Sequence, residues 1–293
     1  MVFICIYWFN YIYLQEVLSI ERSISMAIVK GPIQLEGNVG NLSFYKRRDS
    51  DKIIVRTKGG ASKEKVKKSA AFKGFRLQQN EWRGCTAFAS KLRYAFGGLH
   101  RVADYNLTPV LNAFAKNVQK TDTENPDGKR EISLSNYRHT LSDFNFNRNY
   151  PFNTVLRVSV YAEIDRENLT AKVHIPYIDT TSDLLNVQRL PYFRLLVSLG
   201  AVSDMKCDKN GVYSPLVEEM HGISKTITGA WLPSENLLQA QSIEVRLDER
   251  NILLMADAVS LVVSMAIEFG KVGFGGELQA VKYAGSGKVL TCG

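Results

Sequence analysis

The sequence predicts an α+β protein of two domains, an N-terminal β-meander followed by helices and a C-terminal antiparallel β-sandwich of immunoglobulin-like character. Three observations carry that expectation. The chain has 293 residues, about twice a typical domain. Its charge is divided unevenly, with 17 Lys and Arg against 5 Asp and Glu from Met26 to Arg101 and 19 against 22 from Val102 to Gly293. Its hydrophobic period changes from three and four residues to strict alternation beyond a polar stretch at 120–131. The expected segments are therefore 1–25, a basic module at 26–119, a linker at 120–131 and the sandwich at 132–293.

Residues 1–13 read MVFICIYWFNYIY. The apolar run of about 14 residues falls short of the ~20 needed for a membrane helix, and a signal peptide would carry a basic start. The first cation is Arg22. Ten of the first 13 residues are Met, Phe, Ile, Tyr or Asn, the amino acids of A/T-rich codons. Residues 1–25 accordingly read as a misassigned start ahead of Met26, with a poor export signal and an apolar arm as the alternatives.

The next segment predicts three short strands, Ile28 to Leu35, Asn41 to Arg47 and Lys52 to Lys58. Leu42 and Phe44 alternate with Ser43 and Tyr45, and Glu36–Gly40 and Arg48–Asp51 supply turn residues. Gly59-Gly60 ends the meander, and Ser62 is placed to cap a helix. Lys63, Lys65, Lys67 and Lys68 at that helix start oppose the macrodipole, which points to an anionic partner. Phe72, Phe75, Trp82, Cys85, Ala89, Leu92 and Phe96 then recur at helical steps and read as a packing stripe facing away from the lysines, with Gly97-Gly98 as its stop. Leu107, Leu111, Phe114 and Val118 predict a further helix.

Beyond Asn125-Pro126 and Asp127-Gly128 the alternation of Leu156 to Ile164, a turn at Asp165 to Asn168 and the return through Ala171, Val173 and Ile175 predict a hairpin. Val259 to Phe269 alternates over eleven residues. Phe193 to Val202 and Ile223 to Leu232 fill the interval, giving the strand count of a two-sheet sandwich.

No motif with chemistry in it survives inspection. Cys5, Cys85, Cys207 and Cys292 show no C-x-x-C spacing, and His100, His139, His174 and His221 lie in separate segments. Gly285-Ser-Gly-Lys288 lacks the first glycine and the Ser or Thr of a phosphate-binding loop, and no G-x-S-x-G elbow accompanies any serine. The expectations are no catalytic residue, no metal, no cofactor, no small-molecule substrate and no membrane association, in a reducing cytoplasmic setting.

What remains is the basic module. Lys46, Arg47, Arg48, Lys52, Arg56, Lys58, Lys63, Lys65, Lys67, Lys68 and Lys73 are its candidate anion- or partner-binding residues. They suit a structural or assembly protein that docks on an acidic partner or on a neighbouring subunit of a homo-oligomer, the third strand being open to strand addition. Sequence-nonspecific nucleic-acid binding is the alternative, since lysine is a point charge ill suited to reading bases. A basic face that only solvates the module is the third reading.

The run Gly37-Asn-Val-Gly-Asn-Leu-Ser-Phe-Tyr45, with Val55-Arg56, Gly59-Gly60, Pro191-Tyr-Phe193 and the strand Ser260 to Phe269, resembles a group of uncharacterised proteins from Bacteroidetes-type bacteria. The opening hairpin is also similar to the N-termini of some phage structural proteins. The resemblance implies no activity and transfers no functional residue.

Overall fold

The computed structural model describes residues 26–29, 35–46, 52–57 and 60–293. The protein is mixed α+β, with helices and several antiparallel sheets. It divides into two compact units, Met1–Phe72 and Lys73–Gly293.

In the first unit four strands pair in the order β1-β4-β3-β2: β1 Met26–Val29, β2 Gly37–Val39, β3 Leu42–Lys46 and β4 Ile53–Thr57. A simple meander would pair the strands in sequence order, and the chain departs from it for a local reason. Gly40 has φ 56°, as the first residue of a two-residue hairpin turn requires. The turn folds Gly37–Val39 back on β3, with Val39 opposite Leu42, in a stretch expected to be only a turn. One edge of β3 is thereby taken, and β1 pairs instead with β4, Val29 opposite Ile53. The third expected strand is therefore an interior strand; β1 and β2 are the edges. Helix α1, Lys63–Lys68, follows, with the Ser62 hydroxyl accepting the Lys65 N–H at 3.2 Å. It ends where Ser69 turns extended. Its one turn and a half places Lys65, Lys67 and Lys68 in its last turn, where the dipole favours cations. The expected conflict between lysines and dipole is thus confined to Lys63, the first residue of the helix.

The second unit begins with α2, Lys73–Ala95, and α3, Leu107–Lys120. Gly97 and Gly98 stop α2 with φ 60° and 82°, and Asn106 caps α3 through the Thr108 N–H. A single turn, α4 Phe152–Val155, precedes the sheets. Strands β5 Tyr161–Asp165 and β6 Thr170–Ile175 form the expected hairpin. The long strands β7 Tyr192–Ser203 and β13 Val259–Val272 pair from Tyr192 opposite Gly270 to Ser203 opposite Val259. Short strands β8 Met205–Cys207 and β9 Tyr213–Pro215 pair with each other. Strands β10 Ile223–Thr228 and β11 Leu232–Pro233 extend the β7 side; β14 Leu278–Ala280 and β15 Ser286–Cys292 extend the β13 side. Strand β12 Gln241–Arg246 joins β6 in a three-stranded sheet.

Alternation along β7 and β13 feeds two cores. Leu195, Val197 and Leu199 with Leu261, Val263 and Met265 meet Val173, Ile175 and Val245 of the three-stranded sheet. Leu196, Val202, Val262 and Ala266 turn the other way, to Phe88, Leu92, Phe96 and Leu111 of the helices. The layers are thus helices, central sheet and second sheet, one layer more than an immunoglobulin-like sandwich has. Close approach of α2 to the central sheet depends on Gly200, where an added Cβ would lie 2.0 Å from the Ala95 carbonyl oxygen.

The expected linker at 120–131 lies inside this unit. Asp122 accepts the backbone N–H groups of Glu124, Asn125 and Glu131, so the polar residues serve a tight fold of the segment. The helices share their core with the sheets, and the boundary accordingly falls at 72/73, ahead of them. Among the described residues no helix is long and apolar enough to cross a membrane.

Candidate functional site

The candidate cations of the first unit do not gather on one surface. Cross-strand register puts Lys46 on the face of Leu42, Phe44, Ile53 and Val55, while Arg56 lies on the opposite face with Ser43, Tyr45 and Ile54. There its guanidinium sits 5.5 Å from the Tyr45 ring centroid. Lys46, Lys52 and Arg56 are exposed. On α1 the helical period spreads Lys63, Lys65, Lys67 and Lys68 around the axis; all are exposed, and Lys68 pairs with Glu64 at 2.9 Å. Lys73 is exposed at the start of α2, in the second unit. Arg47, Arg48 and Lys58 lie outside the described residues.

Part of the apolar face of the same sheet is exposed. Within 35–46, 52–57 and 60–72 Ile53 is the one buried side chain; Val39 is 61% exposed and Leu42 38%, with Phe44 and Val55 half-buried. A sheet acquires stability by burying one face against another layer. Among the described residues that face is only partly covered.

A second constellation belongs to α2 and α3. Glu81, 1% exposed, receives Arg130 Nε at 2.7 Å, Arg130 Nη2 at 2.7 Å, Lys116 Nζ at 2.5 Å and the Gly128 N–H at 2.8 Å. Burial pushes the carboxyl pKa up, but the hydrogen bonds from Arg130, Lys116 and Gly128 outweigh it and hold the group at about 2. Gln119, also buried, accepts from Lys116 Nζ and the Cys85 thiol and donates to the Arg130 carbonyl. The Tyr213 hydroxyl donates to the same carbonyl at 2.8 Å. This network fastens the 120–131 segment to both helices and fixes the positions of two cations.

In front of them is an open groove of about 660 Å³ lined by Phe75, Gln78, Gln79, Trp82 and Arg83 of α2, Lys116 and Lys120 of α3, and Arg130. Phe75 is 49% and Trp82 47% exposed. The packing stripe expected of this helix holds for Cys85, Ala89, Leu92 and Phe96, which are buried. It does not hold for Phe75 and Trp82. At 100° per residue they stand roughly 60–80° around the helix from Cys85, at the flank of the core. Sequence reading missed this site because its members are 35 to 49 positions apart. One signal was available: Glu81 is the only carboxylate between Glu64 and Asp104.

Cys85, Cys292 and His221 are enclosed. Burial pushes the Cys85 thiol up to about 11 and the Cys292 thiol to about 12, so both stay protonated. Burial, with a contribution from Lys91, lowers His221 to about 4, its Nδ1 accepting the Ser203 N–H at 3.2 Å. Among the described residues no group of three His, Cys, Asp or Glu could hold a metal ion. No protein-family model, no curated protein and no solved structure matches the chain.

Proposed function

We propose that this chain is a non-enzymatic structural or assembly protein whose first unit docks on a neighbouring subunit. The observation that carries the reading is the exposure of Val39 and Leu42 on the apolar face of the β1-β4-β3-β2 sheet, beside β2, an edge strand among the described residues. Strand addition at that edge by another chain would engage its backbone groups and cover the exposed apolar residues at the same time.

Charge is secondary in this reading. Met26–Phe72 carries 11 Lys and Arg against 4 Asp and Glu, but the second unit carries 25 against 23, so it offers no strongly acidic counterpart as a whole. Apolar burial drives the contact, and the exposed cations select local carboxylates or an acidic partner. A repeated head-to-tail contact of this kind yields rings or filaments.

The immunoglobulin-like character expected of the two sheets rests on strand number and alternation, and it adds no function of its own. A second reading, nucleic-acid binding without sequence preference, draws on the exposed Lys63, Lys65 and Lys67. Light scattering of the purified protein at low and high salt, with and without nuclease, separates the two. Nuclease-resistant oligomers support assembly; a mass that falls on nuclease treatment, and ceases to do so once Lys63, Lys65 and Lys67 are replaced by Gln, supports the second reading.

A further inference from the structure

From the groove between α2 and α3 we infer a binding site for single-stranded nucleic acid, at a place distinct from the sheet through which the first unit docks. Four cations and two exposed aromatic rings line it. Arg83 and Lys120 are exposed, and neither has an ion pair among the described residues. Lys116 and Arg130 are held behind them by Glu81, with side chains 19% and 22% exposed. Because the buried carboxylate orders both, little side-chain freedom is lost when a phosphate approaches.

Trp82, on the α2 wall of the groove beside these cations, is 47% exposed. Its indole can stack a base while the cations follow the backbone, which is how single strands are held without sequence preference. Gln78 and Gln79, on the same wall, offer amide donors and acceptors to base edges. An acidic peptide would use the cations and leave the exposed indole of Trp82 unused. A duplex would present its phosphates but keep its bases stacked inside, so the groove selects a single strand.

The test is titration of the full-length protein with fluorescently labelled oligothymidylate, followed by anisotropy and by quenching of tryptophan emission. Binding should weaken with salt at a log–log slope near −2.8, from about 0.7 per phosphate over four phosphates. Trp82→Ala should weaken binding between about 5- and 150-fold, the equivalent of a stack worth ~1–3 kcal/mol, and should abolish the quench. Arg83→Glu with Lys120→Glu, both at exposed positions, should remove binding while the unfolding midpoint stays unchanged. Replacing Lys63, Lys65, Lys67 and Lys68 by Gln should leave the quench in place. The inference is overturned if Trp82→Ala binds as the parent does, if the quench persists without Trp82, or if no oligonucleotide binds at low salt. Duplex or polyglutamate bound as tightly as oligothymidylate, with the same quench, also overturns it.

Discussion

Replacing Glu81 by Gln keeps the size of the side chain and removes the one charge to which Arg130 and Lys116 are both bound. The folded carboxyl titrates at about 2, against an ordinary 4.5. A difference near 2.5 units corresponds to about 3 kcal/mol of preference for the ionised form in the folded state. Breaking a buried ion pair by removing one partner costs a similar ~3–5 kcal/mol. Because the folded pKa is depressed, the contribution is complete above pH 4.5 and disappears as pH falls through 2. The assay is urea unfolding of parent and E81Q across that range. The parent should be about 3 kcal/mol more stable at neutral pH, and the gap should shrink to below about 1 kcal/mol near pH 2. A gap that is the same at both ends would refute the reasoning, since it would mean that Glu81 acts through shape and not through charge.

Other outcomes follow from the same structure. His221 is lowered to about 4 by burial, so the unfolded chain protonates first, and stability should fall between pH 6.5 and 4 by up to about 3 kcal/mol; an imidazole NMR signal for His221 that titrates near 6.5 would contradict this. Gly200→Ala should lower stability by about 1–3 kcal/mol or more in thermal unfolding, because its Cβ would lie 2.0 Å from Ala95 O. Gly74→Ala, in α2 with nothing within 4 Å of the added Cβ, should raise stability by up to about 1 kcal/mol, and a loss there would show that the helix start is misplaced. Cys85 and Cys292, buried and held protonated, should resist thiol reagents at pH 8 until the chain unfolds.

Local patterns were readable in the sequence where one physical effect dominates. Strict alternation located β13 and the β5–β6 hairpin, Ser62 capped α1 as its position implied, and Gly97-Gly98 ended α2 by adopting positive φ. Pairing between distant elements was not readable. Strand β1 joins β4 because a two-residue turn had already filled the edge of β3, a competition that no single strand pattern reveals. Helices and sheets share one unit, and the small residues Ser198 and Gly200 let the end of α2 approach the central sheet. In the sequence the same residues look like interruptions of a hydrophobic run. The polar segment at 120–131 resembled a linker because its apolar content is low, yet its polar groups are spent on Asp122 and Glu81. Of the candidate site, the exposed lysines were legible from charge alone. The groove was not, since it depends on which flank of α2 faces α3.

The most direct test of the docking reading is sedimentation equilibrium of the full chain at micromolar concentration, beside a variant carrying Val39→Asp and Leu42→Asp. Both side chains are exposed in the single chain, so the variant should fold as the parent does and differ only in what the sheet face can cover. The account predicts a parent mass that rises with concentration to a multiple of 32.9 kDa, at low and high salt alike, and a variant that stays monomeric. A parent that remains monomeric throughout the range would contradict it.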